Sequence, residues 1–419
     1  MTTDILVMGG GAAGFFAAIH AAASGKQVLL LEKSARTLNK VLISGGGRCN
    51  VTHDCRSPAA LSAHYPRGGA FLKPCFKIWG VQETITWFEE QGVSLKTEAD
   101  GRMFPQSDQS EHIALALEEA ARRNGVRIRT KTGVQKLEPS GHGFLVHTDA
   151  GEVIQAGSVI VAPGGLPKRT QYDFLDALQL HIVPPLPSIF TFHTGNAALH
   201  ALSGLSLPEV SLRAEGQKQS FSGPMLVTHW GLSGPAVLRC SAWLARHLAQ
   251  LDYRFPLYAR LIPFSEAEFR ALLEQWMREH PKKRLYNQTP PGMPARFWSY
   301  LLSELGIPEA LCVAELGKKD KNRITETVLN HRFEVRGKSP FKEEFVTAGG
   351  VALEEINAAR MESKNHPGLF FAGEVLDIDG ITGGFNFQAA WTTGFIAGTS
   401  AADGRGSTSL VPEQSRGTP

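Results

Sequence analysis

The sequence predicts an α/β fold built on a Rossmann-like nucleotide-binding domain. An apolar strand ending at Met8 leads into Gly9-x-Gly11-x-x-Gly14, and a second apolar run, Val28 to Leu31, ends at the acidic residue Glu32. A strand, a glycine-rich turn, a helix and a second strand ending in an acid are typical of a dinucleotide site. The alternative is a tight glycine turn that binds no ligand. The presence of the strand, the helix, the second strand and the acid in the expected order disfavours this alternative.

Each part of this unit has a physical reason. The first glycine permits the tight turn, the second lets backbone N–H groups approach a pyrophosphate, and the third lets the helix pack closely on the sheet. The helix N-terminus supplies positive charge, Gly25 is expected at the helix C-cap, and Glu32 is placed to bond a ribose hydroxyl. The cofactor contacts predicted here are Gly9, Gly11, Ala12, Ala13, Gly14, Glu32 and Lys33.

A second half of the nucleotide site is predicted near the C-terminus. Leu369 to Phe371 reads as a buried strand, followed by Gly373 and Glu374, a Gly383-Gly384-Phe385-Asn386 turn and a small-residue helix from Phe387 to Thr399. This pairing favours FAD over NAD, because FAD is long and its flavin end must be held by elements other than the first glycine turn. Glu374 can bond the ribityl chain or its neighbouring ribose, and the N-terminus of the following helix can face the flavin ring. The alternative is an ordinary surface turn.

Between these ends lies a glycine-rich loop, Lys40 to Thr52, suited to close backbone contact with an anion. Arg48 is the best candidate for a pyrophosphate or flavin contact; an ordinary surface arginine is the alternative. Cys49 and Cys55 are expected to be free thiols, because five residues separate them where a flavin disulfide reductase has four. The contacts predicted in this loop are Lys40, Ser44, Gly45, Gly47, Arg48, Cys49 and Asn50.

The domain order follows from the remaining patterns. Gly133 to Val161 alternates like a meander, with Val134 placed to contact adenine, and Ala162, Gly164 and Gly165 return to the cofactor. Short β-rich pieces follow, and Ser265 with Glu268 forms a capping box that opens a helix through Glu279. The predicted domains are an FAD domain of residues 1–188 and 334–403, a β-rich insert of 189–260, a helical insert of 261–333 and a disordered tail of 404–419.

These motifs together resemble the BaiN/RdsA-like (YhiN-like) family of bacterial NAD(P)/FAD-dependent oxidoreductases. The resemblance covers most of the chain: the glycine turn, 44–52, 228–235, 347–351 and 372–388. It implies an FAD domain of the glutathione-reductase type, interrupted by a small β-rich domain and a helical domain. One member is linked to reduction of conjugated double bonds in bile-acid intermediates. The sequence departs from the family at His53, usually Asn, and at Phe385, where Tyr is commoner and a phenolic OH is therefore lost.

Charge and composition predict a cytoplasmic protein without a membrane span. Lys and Arg exceed Asp and Glu by only three, with both signs interspersed, so no nucleic-acid partner is expected. Asp4 stands where a secretory signal would carry basic residues, and the five cysteines follow no disulfide spacing. No metal site is predicted, because the histidines are scattered and no cysteine pair has ligand spacing.

The predicted reaction is hydride transfer from NAD(P)H, as a transient reductant, through flavin N5 to an unsaturated or carbonyl-bearing small molecule. No second glycine fingerprint exists, so the donor would stack on the flavin in a cleft between the FAD domain and the insert. Candidate cleft residues are Thr347, Gly349, Gly350, Phe385 and Asn386, with His229, Trp230 and Ser233 from the insert. The alternatives are a dioxygen-using oxidase, an FAD-binding redox sensor or RNA-associated flavoprotein, and a colourless NAD-only dehydrogenase.

Overall fold

The structure, a computed structural model, describes residues 1–141, 143–338 and 346–404. In these residues the helices are α1 (Ala12–Ala22), α2 (Asn39–Gly47), α3 (Pro58–Ser62), α4 (Gly69–Cys75), α5 (Val81–Glu90), α6 (Ser110–Arg123), α7 (Ala197–His200), α8 (Pro235–Gln250), α9 (Glu266–Glu279), α10 (Ala295–Glu304), α11 (Lys318–Leu329) and α12 (Phe385–Ala402). The strands are β1 (Thr2–Met8), β2 (Val28–Leu31), β3 (Thr52–His53), β4 (Leu95–Thr97), β5 (Arg102–Pro105), β6 (Arg127–Arg129), β7 (Val134–Ser140), β8 (Gly143–Thr148), β9 (Val153–Val161), β10 (Ile182–Pro187), β11 (Phe192–Thr194), β12 (Ser206–Ala214), β13 (Phe221–Thr228), β14 (Gly231–Ser233), β15 (Phe255–Arg260), β16 (His331–Lys338), β17 (Thr347–Val351), β18 (Ile356–Asn357), β19 (Glu362–Ser363) and β20 (Leu369–Phe371).

The chain divides into two compact units. The first comprises residues 1–185 and those from 347 on, and the second comprises 186–346. Apart from residue 404, the segment predicted to be a disordered tail lies outside the described residues.

The first unit is built on one sheet with a parallel centre. Its main path runs β18-β19-β20-β9-β1-β2-β6, and the β7-β8 hairpin joins it through β9. Strands β20, β9, β1, β2 and β6 are parallel to one another, so their carboxyl ends share one edge. Every side chain of β2 and β20 is buried, which explains their continuous apolar runs. The predicted Rossmann-like fold is confirmed.

Two helices rich in small residues pack closely in this unit. A Cβ at Gly394 of α12 would lie 2.7 Å from the carbonyl oxygen of Ala13, and one at Gly398 would lie 2.3 Å from that of Ala17. The two contacts advance together along both chains, so α1 and α12 run in the same direction. Glycine at these two positions therefore lets the C-terminal helix lie directly against the helix of the nucleotide-binding turn.

The second unit contains a closed barrel with the order β11-β14-β13-β12-β15-β16. The barrel and the helices α8 to α11 share one hydrophobic core. The predicted return to the FAD domain at residue 334 is wrong, because His331–Lys338 pairs with both β11 and β15. Without this strand those two neighbours would present open edges, and its alternation of buried Phe333 and Val335 with exposed residues fits the barrel wall.

Two local predictions have different outcomes. The capping box at Ser265 is confirmed, since its hydroxyl accepts from the Glu268 N–H and the Glu268 carboxylate accepts from the Ser265 N–H at 2.7 Å. The helix C-cap expected at Gly25 is wrong: α1 ends at Ala22 with Ala23 as its cap. Gly25 instead takes the left-handed conformation, with φ +80°, in the following turn.

Protonation of buried histidines is expected to destabilise the fold in mild acid. His20 lies among the rings of Phe16, Trp79 and Phe395, and burial lowers its pKa to about 4. Between pH 6.5 and 4 the unfolded chain binds a proton at this histidine that the folded chain excludes. The free energy of unfolding therefore decreases as the pH is lowered, and at pH 5 this residue alone accounts for a loss of about 2 kcal/mol relative to neutral pH. Urea unfolding at pH 7 and pH 5 should show a smaller loss for His20→Leu than for the parent. An equal loss would contradict this account.

Candidate functional site

Three loops meet at the carboxyl edge of the parallel strands β1, β9 and β20. A Cβ at Gly9, where φ is +106°, would lie 2.3 Å from the carbonyl oxygen of Ala162. A Cβ at Gly373 would lie 2.8 Å from the Cβ atom of Ala13, and one at Gly165 would lie 2.6 Å from the Glu374 carboxyl group. The two predicted halves of the nucleotide site, distant in sequence, are therefore in direct contact.

The nucleotide-binding turn leaves an open space in front of α1. A Cβ at Gly14 would lie 1.9 Å from the carbonyl oxygen of Gly9, so this glycine sets the tight turn. A Cβ at Gly11 would meet no atom within 4 Å, and no side chain caps the N-terminus of α1. Uncapped N–H groups facing an open space suit a diphosphate. The residues present therefore fit the diphosphate of a dinucleotide.

Glu32 stands at the end of β2 beside this turn. One carboxylate oxygen accepts from the Gly10 N–H at 2.8 Å and the other from the Ser34 N–H at 2.7 Å. Each oxygen has further lone pairs for a ribose hydroxyl. The Glu32 carbonyl accepts from the Thr132 N–H at 2.9 Å, which places Val134, the predicted adenine contact, two residues beyond that bond.

Glu32→Ala is expected to weaken FAD binding by about 1.5–3 kcal/mol, because a charge-assisted hydrogen bond to the ribose is lost. Titration of the apoprotein with FAD, followed by flavin fluorescence, measures this change. Glu32→Gln keeps the size and one acceptor oxygen and is expected to fall between the parent and Glu32→Ala. An unchanged dissociation constant in Glu32→Ala would reject the ribose assignment.

Glu374 joins three segments at the same edge. One oxygen accepts from the Thr347 N–H at 2.8 Å; the other accepts from Lys40 Nζ at 2.7 Å and from the Gly165 N–H at 3.2 Å. Lys40 is well exposed and lies 3.9 Å from a Cβ position at Gly164. Glu374, Lys40 and Gly164 thus lie together, although their contacts with the cofactor stay predictions.

The glycine loop begins as helix rather than loop. Asn39 to Ile43 is helical, and the chain leaves helical geometry at Ser44. Gly45, Gly46 and Gly47 all have positive φ, between +57° and +83°, and a Cβ at Gly46 or Gly47 would meet no atom within 4 Å. The left-handed conformation explains the three glycines, and the open space leaves their backbone accessible to a ligand.

Arg48 is held by acidic side chains. Its guanidinium pairs with Glu98 at 2.5 Å and Asp108 at 2.6 Å, and it lies 4.0 Å from the ring centre of Phe104. These partners raise the Arg48 pKa, mainly through the Glu98 hydrogen bond, and the Lys96 and Arg48 hydrogen bonds lower that of Asp108. A flavin or pyrophosphate contact by Arg48 stays a prediction.

Cys49 is fully buried and has φ +57°. Burial raises the pKa of its thiol to about 12, so the thiol is protonated at neutral pH and is a poor nucleophile. Cys49 and Cys55 are not joined by a disulfide, and burial also raises the pKa of Cys55. The geometry therefore favours two free thiols over a redox pair.

A buried polar network fastens the glycine loop to α12. The Thr52 hydroxyl donates to Gln388 Oε1 at 2.6 Å, and Trp391 Nε1 donates to the Val51 carbonyl at 3.0 Å. With its amide oriented to match its neighbours, Asn50 accepts from the Gly384 N–H at 2.9 Å. Thr52, Gln388 and Trp391 were not predicted; a glutamine inside an otherwise apolar helix is the signal that could have indicated them.

The start of α12 is fixed by its own neighbours. The Phe385 ring is buried and stacks on His53 and His64, with ring centres 4.7 and 4.4 Å away. Asn386 binds Gly380 twice, accepting from its N–H at 2.8 Å and donating to its carbonyl at 3.0 Å. The two positions that depart from the family pattern, 53 and 385, are therefore in contact.

The remaining cleft candidates belong to different units. Thr347, Gly349 and Gly350 lie in β17 of the first unit, where the Gly349 N–H donates to Asp377 at 3.0 Å. His229, Trp230 and Ser233 lie at or beside β14 of the barrel unit. The cleft that would combine the two groups stays a prediction.

Within residues 1–141, 143–338 and 346–404, no group of three or more His, Cys, Asp or Glu side chains could hold a metal ion. None of the helices in those ranges is long and apolar enough to cross a membrane.

Fold and site together define the class: a Rossmann-type FAD-dependent oxidoreductase with an inserted barrel and helices. The fold resembles a 3-ketosteroid-Δ4-(5α)-dehydrogenase from Rhodococcus jostii RHA1, with TM-score 0.54, 17% identity and coverage of 96% of this chain and 97% of that one. The chain belongs to the HI0933-like protein Rossmann domain family, which matches residues 3–400. The predicted family resemblance is confirmed.

Relatives of known name match nearly the whole chain. The ribosomal RNA dihydrouridine synthase of Escherichia coli is 28% identical over 400 residues, which are 93% of this chain and 96% of that protein. The 3-dehydro-bile acid Δ4,6-reductase of Clostridium scindens is 28% identical over 408 residues, 95% of this chain and 98% of that protein.

Proposed function

We propose that this protein reduces a carbon–carbon double bond conjugated to a carbonyl group, with NAD(P)H as the source of electrons. The observation that carries the cofactor assignment is the meeting of the Gly9 turn, Gly165 and Glu374 at one sheet edge, beside the open N-terminus of α1. Such an edge of parallel strands is where α/β folds bind their nucleotides. When bound, FAD supplies the hydride chemistry.

The choice of double bond rests on the chemistry that two named relatives share. A 3-dehydro-bile acid with Δ4,6 unsaturation carries double bonds conjugated to a ketone, and dihydrouridine is uridine reduced at the double bond next to its carbonyl. In both acceptors, conjugation to a carbonyl group lets the carbon–carbon double bond accept a hydride. This shared chemistry favours alkene reduction over carbonyl reduction.

The chain's own residues would bind and orient the reactants. The N–H groups of α1 would hold the diphosphate, Glu32 the adenosine ribose and Glu374 the ribityl chain. The positive end of α12 would favour negative charge on the flavin pyrimidine ring. Since the sequence has only one glycine fingerprint, the nicotinamide would approach the flavin directly.

The test is an anaerobic titration of the FAD-loaded protein with NADH and NADPH, followed by a conjugated steroid enone. Rapid bleaching of the flavin, then reoxidation with a product that keeps its carbonyl, is expected. An alcohol product would reject alkene reduction. A flavin that stays oxidised with both nicotinamides would reject the donor. In a parallel sample in air, hydrogen peroxide formed with an organic reductant would indicate the oxidase.

A second candidate acceptor is a uridine of ribosomal RNA, favoured by two named relatives. Besides the E. coli protein, the ribosomal RNA dihydrouridine synthase of Haemophilus influenzae is 29% identical over 411 residues, 95% of this chain and 98% of that protein. Reoxidation by a uridine-containing RNA, but not by the steroid enone, would favour this acceptor over the small molecule.

A further inference from the structure

The outer wall of the barrel carries a row of basic and aromatic side chains. Arg213 on β12 lies directly opposite Tyr258 on β15, and Tyr258 lies directly opposite Arg332 on β16. Neighbouring strands are about 4.8 Å apart, so the three side chains extend over roughly 10 Å. Arg260, two residues beyond Tyr258 on the same strand, points to the same side. We call these four residues the arginine–tyrosine row.

The row is partly accessible to solvent and carries more positive than negative charge. Arg260 and Arg332 are exposed, and the Arg213 guanidinium lies 5.0 Å from the centre of the Tyr258 ring. Two acids are near: Glu334 pairs with Arg332 at 2.8 Å, and Glu215 accepts from the Tyr258 hydroxyl at 3.4 Å. The segments 186–264 and 331–338 together contain nine Lys and Arg against four Asp and Glu, so they carry an excess of positive charge.

We propose that the arginine–tyrosine row binds single-stranded RNA. A sheet surface with a partly exposed aromatic ring between arginines suits a flexible strand, because a base can stack on the ring while the guanidinium groups contact phosphates. An acidic peptide would match the charge but would not need the ring. The inference rests on the second proposed acceptor, ribosomal RNA, and it assigns this wall to substrate binding.

The experiment measures binding of a fluorescently labelled oligouridine to the full FAD-loaded chain by anisotropy. Tyr258→Ala is expected to weaken binding about tenfold or more, because stacking is lost, whereas Tyr258→Phe keeps the ring and should bind like the parent. The double variant Arg213→Ala/Arg332→Ala should lower the slope of log affinity against log salt by about 1.4, since each phosphate contact on a single strand contributes about 0.7.

The matched control is Arg122→Ala, which removes an exposed arginine of α6 and should leave both affinity and salt slope unchanged. The inference is overturned if oligouridine does not bind at low salt, if Tyr258→Ala binds like the parent, or if duplex DNA, heparin or an acidic peptide competes as strongly as the oligouridine. Bleaching by NADPH is recorded on the same samples. Intact bleaching without RNA binding would overturn the row alone and leave the reductase assignment standing.

Discussion

Gly11→Ala is expected to weaken FAD binding ten- to a hundredfold, about 1–3 kcal/mol, while leaving the stability of the apoprotein unchanged. The added methyl group meets no protein atom within 4 Å, and φ at Gly11 is −93°, which alanine adopts without strain. The space that this methyl group fills is the one assigned to the diphosphate. Overpacking a close contact costs energy of this size.

Gly14→Ala is the matched variant, since it adds the same methyl group where there is no space. Its Cβ would lie 1.9 Å from the Gly9 carbonyl oxygen, so the turn and α1 must shift. Gly14→Ala should therefore lower both apoprotein stability and FAD affinity. Thermal unfolding of the apoproteins and FAD titration separate the two effects. Gly11→Ala binding FAD like the parent would place the diphosphate elsewhere.

The nucleotide-binding half of the site follows from sequence because its parts are local. Gly9, Gly14 and Glu32 are fixed by turn geometry and by the length of one strand–helix–strand unit, and the structure places them together. The contact between Glu374 and Gly165 joins positions 209 residues apart. This contact is predictable in outline, because both segments follow parallel strands whose ends lie at the same edge of the sheet. The hydrogen bonds from Lys40 and Thr347 to Glu374 were not predicted.

The parts that sequence did not predict depend on tertiary partners. A glutamine such as Gln388 has several possible partners, and only the fold selects Thr52, Thr84 and Thr392. Likewise, the predicted domain boundary at residue 334 falls inside β16, whose alternation of buried and exposed side chains fits any half-buried strand. This strand belongs to the barrel because β11 and β15, which are distant from it in sequence, each need a hydrogen-bonding partner on their open edge.

Arg67→Met is expected to lower the free energy of unfolding of the first unit by about 3–5 kcal/mol. The Arg67 guanidinium forms two hydrogen bonds to the Asp379 carboxylate, and the Asp379 side chain is fully buried. Removing the guanidinium takes two charge-assisted hydrogen bonds from a carboxylate in a low-dielectric interior, which is among the most costly single changes in a protein. Hydrogen exchange of the α12 amides measures the loss.

The double variant Arg67→Met/Asp379→Leu separates charge burial from packing, because it removes both charges and should recover most of the lost stability. The exposed pair Arg122 and Glu119 is the control, and Arg122→Ala should leave the free energy of unfolding nearly unchanged. Asp379 lies in the segment before α12, and two bonds near the ion pair connect the same parts of the chain: the Tyr65 hydroxyl donates to the carbonyl of Phe385, the first residue of α12, at 2.6 Å, and the Ile381 N–H donates to the His64 carbonyl at 3.0 Å. FAD affinity should therefore fall with stability in Arg67→Met and recover in the double variant. Recovery of stability without recovery of FAD binding would mean that the charges themselves, rather than the position of this segment, support the flavin.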